Sequence, residues 1–126
     1  MSQPTDKNTT VLIVEDDLDL ADMIGFQLES QGYHILKAAE GQKGLDLAEK
    51  HSPGLIILDL DMKDMDGLAF CRKIASGENK TKYPVLVLTA VVNSEQVVAE
   101  FDLEGFMNKP FEIKQLLDEV KRIIHK

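Results

Sequence analysis

A carboxylate at the end of an apolar run is the most informative chemical feature of this sequence. Residues 55–67 read LIILDLDMKDMDG, in which four apolar residues precede Asp59 and three more acids, Asp61, Asp64 and Asp66, follow it. An apolar run of this length is typical of a buried strand. The residue at the end of such a strand is held at the edge where open α/β sheets bind ligands. Asp59 is therefore a candidate cation ligand, a candidate nucleophile, or both.

Polar residues also end three other apolar runs. Glu15 and Asp16 end the first run, Thr89 ends the fourth, and Lys109 follows the fifth. If the first and third runs are neighbouring strands, their carboxylates repel one another unless a cation lies among them. Only oxygen ligands are offered, which favours Mg²⁺, with Mn²⁺ as an alternative.

The remaining polar groups extend this candidate metal site toward phosphoryl chemistry. Lys109 contributes a positive charge and Thr89 a hydroxyl that can donate or accept a hydrogen bond. A cation and an ammonium group together neutralise the charge of a phosphoryl group in transfer, and Asp59 would then be an aspartyl nucleophile. A zinc site is not expected, because Cys71 is a lone cysteine and the three histidines are scattered at positions 34, 51 and 125.

Five alternations of strand and helix are predicted to position these residues. The predicted strands are 10–15, 33–38, 55–59, 85–89 and 105–108. The predicted helices are about 18–30, 42–51, 67–75, 94–103 and 111–125. Asp16 and Asp17 are suited to the N-cap and first turn of the first helix, and Leu45, Leu47 and Ala48 are expected to face inward from the second. Five such units indicate an α/β, flavodoxin-like (βα)5 fold, with a parallel sheet in the order 2-1-3-4-5 and helices on both faces.

Length and composition are those of one globular domain. The chain has 126 residues, 44% of them hydrophobic, and a net charge of −8. We expect a disordered lead-in over residues 1–9 and a domain over 10–126. The acidic balance argues against direct contact with nucleic acid or an anionic membrane. The single cysteine, the polar N-terminus and the absence of a long apolar stretch predict a cytoplasmic protein.

The four motifs together resemble the receiver domain of two-component response regulators, in particular the chemotaxis regulators. They are VLIVEDD, LIILDLDMKDMDG, VLVLTA and NKPF, in that order and over essentially the whole chain. The resemblance implies that Asp59 is the phosphoacceptor. It implies that Asp16, Asp59 and the backbone carbonyl of Asp61 hold Mg²⁺, with Glu15 contributing through water.

The same resemblance implies a signalling switch rather than a multiple-turnover enzyme. Asp59 would accept a phosphoryl group from a histidine kinase or a phosphotransfer protein, and the domain would catalyse its own phosphorylation and dephosphorylation. Thr89 and Lys109 would contact the phosphoryl group, and Thr89 and Phe106 would act as switch residues. The surface of the fourth helix, fifth strand and last helix would then bind a downstream protein or a second copy. The Lys109–Pro110 peptide is expected to be cis.

Two segments depart from the family pattern, and two further positions are predicted to affect the lifetime of the phosphorylated state. Lys63 stands where the family has proline, and residues 101–103 (FDL) replace its small-residue stretch before the fifth strand. Asp61 and Val91, two residues after Asp59 and Thr89, are predicted to tune hydrolysis of the phosphorylated aspartate.

Two alternative functions remain open at this point. Residues 59–61 (DLD) imitate the nucleophile motif of haloacid-dehalogenase-like phosphatases, although here the motif lies on the third predicted strand and the chain has no room for a cap domain. A pseudo-receiver that acts only as an unphosphorylated docking domain is the other alternative.

Overall fold

A five-stranded parallel sheet forms the centre of the molecule. The computed structural model describes residues 9–60, 62, 67–75, 83–90, 99, 101 and 103–125. The strands pair in the order β2-β1-β3-β4-β5, and every pairing is parallel. Their bounds are β1 Thr10–Val14, β2 His34–Ala38, β3 Leu55–Asp59, β4 Val85–Thr89 and β5 Gly105–Asn108. The predicted fold class and strand order are confirmed.

Four helices connect or follow these strands in the described part of the chain. They are α1 Leu18–Ser30, α2 Gly41–His51, α3 Gly67–Lys73 and the C-terminal helix Ile113–Ile124. Each lies within two residues of its predicted bounds at either end. Of the helix predicted over 94–103, only residues 99, 101 and 103 are described, and the first two are helical. None of the described helices combines the length and apolarity that a membrane span requires.

Alternate residues of each strand enter two separate cores. Leu12 and Val14 of β1 point to the core beneath α2 and α3, whereas Val11 and Ile13 point to the core beneath α1 and the C-terminal helix. The strands β3 and β4 are buried along their whole length, as expected for central strands covered on both faces. Because helices cover both faces of the sheet, polar side chains can gather at the carboxyl ends of the strands.

Gly44 allows α2 to pack closely against the sheet. A Cβ atom built on Gly44 would lie 2.9 Å from Val14 Cγ2 and 3.1 Å from Phe70 Cε2. Both neighbours are fully buried. The sequence predicted Leu45, Leu47 and Ala48 on the inner face of this helix. Only Ala48 is fully buried, whereas the two leucines are half-buried, because the glycine face is the one that lies nearest to β1.

Candidate functional site

The carboxyl ends of β1 and β3 bring three acids together. Val14 pairs with Leu58 in the register of these two strands, so the next residues, Glu15 and Asp59, lie level with each other. Carboxylate oxygens of Glu15, Asp16 and Asp59 all lie within 4.8 Å of one another. Glu15 and Asp59 are buried, at 3% and 5% exposure, and Asp16 is half-buried. The structure therefore assembles the acidic cluster that the motifs predicted.

Lys109 enters the cluster from the end of β5. Its Nζ donates to Glu15 Oε1 at 2.8 Å and lies 3.5 Å from Asp59 Oδ2. Its backbone N–H donates to the carbonyl of Thr89 at 2.9 Å, which fastens the chain after β5 to the end of β4. The Lys109–Pro110 peptide is cis, as the family resemblance implies.

Burial and charge act in opposite directions on the two members of this ion pair. Burial raises the pKa of Glu15 and outweighs the hydrogen bond from Lys109, which lowers it. Burial also tends to lower the pKa of Lys109, but the hydrogen bond to Glu15 and the charges of Asp59 and Glu15 outweigh it and raise this pKa. Lys109 is therefore held as a cation beside the carboxylates.

The second oxygen of Glu15 is held by the start of α1. The backbone N–H of Asp17 donates to Glu15 Oε2 at 3.1 Å, and the N–H of Glu15 itself donates to the carbonyl of Ala38 at 3.0 Å. Asp17 is also the N-cap of α1, because its side chain accepts the N–H of Leu20 at 3.1 Å. The sequence marks Asp16 and Asp17 as cap candidates, but it carries no signal for the bond to Glu15.

Thr89 and Phe106 lie on the neighbouring strands β4 and β5. Thr89 ends β4 and is fully buried, one position beyond Leu88, which pairs with Asp59. Phe106 pairs with Val87 in the register of β4 and β5 and is half-buried against the core beneath α2 and α3. Their roles in phosphoryl binding and switching remain predictions.

Several of the predicted residues lie outside the described part of the chain. Asp61, whose carbonyl was predicted to bind the metal, is one of them, and Val91 is another. The loop acids Asp64 and Asp66 and the unusual Lys63 are also outside it. Of the eight predicted site residues, the structure thus places Glu15, Asp16, Asp59, Thr89, Phe106 and Lys109.

The donor set fits a hard divalent cation. Three carboxylates converge, two of them buried, and among the residues that the structure describes no softer ligand joins this cluster. Carboxylates in such an arrangement suit Mg²⁺, which is bound through one or two of them and keeps several waters.

Comparison with known proteins assigns the chain to a family. The profile of the response regulator receiver domain matches residues 11–121. Response regulator ArlR of Staphylococcus aureus is 35% identical over 120 residues, which cover 94% of this chain and 53% of ArlR. The DNA-binding dual master transcriptional regulator RpaA of Synechocystis is 32% identical over 118 residues, which cover 92% of this chain and 49% of RpaA. The chain therefore spans about half the length of the curated relatives it matches.

Solved structures give the same result for the fold. The chemotaxis response regulator CheY4 of Vibrio cholerae superposes with a TM-score of 0.82 at 29% identity. The alignment covers 92% of this chain and 98% of CheY4, so the likeness extends over the complete domain of that regulator. The sequence profile, the relatives and the sheet order agree, and the chain belongs to the response regulator receiver domain family.

Proposed function

We propose that this domain is a phosphorylation-controlled switch in which Asp59 accepts a phosphoryl group from the phosphohistidine of a histidine kinase or a phosphotransfer protein. Receiver domains are the switch components of two-component response regulators and not classical enzymes. The observation that carries the proposal is the position of Asp59. Its buried carboxylate lies 3.5 Å from the Lys109 ammonium and within the cluster of Glu15 and Asp16.

Each residue of the cluster has a separate role in this proposal. An Asp59 oxygen attacks the phosphorus of the donor phosphohistidine, the P–N bond breaks, and the donor histidine leaves as its imidazole. Lys109 and Thr89 receive the oxygens of the transferred group. Asp16, Asp59 and the carbonyl of Asp61 would hold Mg²⁺, with Glu15 helping through water. The bound cation would neutralise the charge that develops in phosphoryl transfer. We further propose that the side chains of Asp61 and Val91 control the lifetime of the phosphorylated state.

The output in this proposal is a change in the surface of β5 and its flanking helices. The added charge at Asp59 draws Thr89 toward it, and Phe106 follows into the space behind, which biases the domain between two states. A downstream protein or a second copy would bind the changed surface. RpaA is named as a DNA-binding regulator. Direct nucleic-acid binding by this domain is not expected, because its net charge is −8.

Phosphorylation by a small-molecule donor tests the chemistry without a kinase. We expect the purified chain to gain one phosphoryl group from acetyl phosphate in Mg²⁺, measured by intact-protein mass spectrometry, and to lose the reaction in EDTA. The Asp59→Asn variant should show no such gain. Asp46→Asn is the matched control, because Asp46 is an exposed acid on α2 that accepts a hydrogen bond from Gln42. This variant should gain a phosphoryl group like the natural chain.

Three outcomes would contradict the proposal, and two of them would favour the alternative functions. Uptake that persists in Asp59→Asn would mean that the phosphoacceptor is another residue. Multiple turnovers on a phosphate ester would indicate a haloacid-dehalogenase-like phosphatase, and absence of any Mg²⁺-dependent uptake would indicate a pseudo-receiver used only for docking.

A further inference from the structure

Asp17 makes one hydrogen bond to the acidic cluster and two to the first turn of α1. Its backbone N–H donates to Glu15 Oε2 at 3.1 Å, and its side-chain Oδ1 accepts the N–H of Leu20 at 3.1 Å. Its carbonyl accepts the N–H of Ala21 at 2.9 Å. The side chain of Asp17 is exposed and lies outside the three-carboxylate cluster. The backbone of Asp17 is extended, with φ −81° and ψ 103°, which is the conformation usual for an N-cap residue.

Glu15 has one more rotatable bond than an aspartate at the same position, so its carboxylate needs more than one anchor. Lys109 holds Oε1 at 2.8 Å, and the Asp17 N–H holds Oε2 at 3.1 Å. With both oxygens held, the carboxylate is kept in one orientation at the edge of the cluster. Fixing a glutamate rotamer has an entropic cost that these two bonds must offset, and loss of either bond returns that freedom.

From this geometry we propose that Asp17 is a positioning residue for the cation site: the cap that it provides to α1 fixes its own N–H, and this N–H fixes the Glu15 carboxylate. The inference rests on the proposed function, because it assumes that the cluster holds Mg²⁺. A capped helix start keeps the amide of residue 17 in place. An uncapped start frays and releases Glu15 Oε2.

Magnesium titration of four variants of the chain tests the proposal. Removal of an N-cap costs about 1 kcal/mol, which corresponds to a loss of about fivefold in Mg²⁺ affinity for Asp17→Ala if that cost is transmitted to the site. Asp17→Ser and Asp17→Asn keep a capping oxygen without the charge, so both should bind within about twofold of the natural chain. Asp19→Ala is the charge control, because Asp19 is an exposed acid in the first turn of α1. Isothermal titration calorimetry gives the affinities.

A second measurement, made without Mg²⁺, reports on the anchor itself. Hydrogen exchange of the residue 17 and Leu20 amides should accelerate in Asp17→Ala and remain slow in Asp17→Ser. If Asp17→Ala does not fold, Asp17→Gly takes its place, since glycine is tolerated at an N-cap but offers no side-chain acceptor. Its Mg²⁺ affinity should then fall below that of Asp17→Asn.

The outcomes separate the inference from the function on which it rests. If Asp17→Ser or Asp19→Ala loses as much affinity as Asp17→Ala, charge rather than positioning sets the affinity and the inference is wrong. An unchanged affinity in Asp17→Ala overturns it as well. If the natural chain binds no Mg²⁺ in the calorimeter, the proposed function fails instead.

Discussion

Lys109 is the residue on which the buried charges of the site depend. It is the cation in contact with two carboxylates that are themselves almost inaccessible to solvent, Glu15 and Asp59. Removing one member of a buried ion pair leaves the other without compensation, and that loss is large compared with the value of an exposed pair. We therefore expect the stability of the domain and the chemistry proposed for its site to depend on the same side chain.

We expect Lys109→Ala to destabilise the chain by about 2–3 kcal/mol in EDTA, because the buried carboxylates of Glu15 and Asp59 then lose the positive charge of Lys109. Mg²⁺ should restore part of this loss, since it supplies positive charge at the same place. Urea unfolding with and without Mg²⁺ measures both effects. Lys114→Ala is the control: it removes an exposed pair with Asp118, in which the two side chains are 84% and 66% exposed, and should change stability by less than about 0.5 kcal/mol. Equal stabilities for the two variants in EDTA would contradict this account.

At the residue scale, the sequence was sufficient to select candidates but not to show how they are held. Asp59, Asp16 and Lys109 could be selected because each directly ends or follows an apolar run, and parallel strands deliver such residues to one edge. The contact of Glu15 with Lys109 and with the Asp17 N–H could not be predicted. It depends on side-chain torsions and on where α1 begins, and neither leaves a pattern in the residue types.

Among the secondary-structure elements, α2 shows how tightly the layers are packed. Gly44 lies where α2 approaches β1 and α3, and the atoms facing it belong to buried Val14 and Phe70. Gly25 of α1 differs, because a Cβ atom there would lie 3.4 Å or more from Ile35 and Lys37. Two helical glycines thus have different surroundings.

The same substitution should therefore have opposite effects at these two positions. Alanine is favoured over glycine in a helix by about 1 kcal/mol, so Gly25→Ala should stabilise the chain by up to that amount. At Gly44 overpacking of about 1–3 kcal/mol outweighs the same gain, and Gly44→Ala should destabilise the chain. The denaturant midpoints of the two variants measure these changes in stability. If both midpoints shift in the same direction, local packing does not determine the effect of alanine at these positions.

The bounds of the strands were easier to predict than the faces of the helices. The predicted bounds of β3, β4 and β5 agree with the structure, because glycine, proline or polar residues bound their apolar runs. For α2, Leu45, Leu47 and Ala48 were predicted to face inward, and all three do pack against the core, but the fully buried residues of this helix are glycine and alanine and not leucine. Hydrophobicity identifies what can be buried, but the distance between layers selects small residues by size, which a hydrophobic pattern does not reveal.

For the whole molecule, the acidic cluster predicts that stability depends on divalent cations. A ligand that binds only the folded chain stabilises it by mass action, by about 1.4 kcal/mol for each tenfold rise in concentration above the dissociation constant. We expect the melting temperature to rise with Mg²⁺ in this manner. Asp59→Asn should weaken the rise, because it removes a charged ligand from the cluster of three.

Sodium chloride at matched ionic strength separates specific binding from screening. The net charge of −8 means that any salt reduces repulsion within the folded chain. Mg²⁺ should therefore stabilise the natural chain well beyond the sodium control, and the difference should shrink in Asp59→Asn. If both salts raise the melting temperature equally, the cluster does not bind the cation.

The whole-molecule predictions from composition cover only this domain. The chain length and the alternation of strands and helices were sufficient to predict one sheet with helices on both faces. The structure confirms the predicted strand order. Charge argued against nucleic-acid contact, but the chain aligns with about half of RpaA, whose name states DNA binding. Net charge describes the surface of this domain and contains no information about a partner domain.

The ion pair between Lys109 and Glu15 joins residues 94 positions apart in the chain. Glu15 leaves β1 in the middle of the sheet, and Lys109 follows β5 at its edge, so β3 and β4 must be in place between them before the pair can form. A chain that has paired only its first strands lacks the cation beside Asp59. If the proposed function is correct, phosphorylation of Asp59 therefore requires the complete sheet, and a partly folded or truncated copy would transmit no signal.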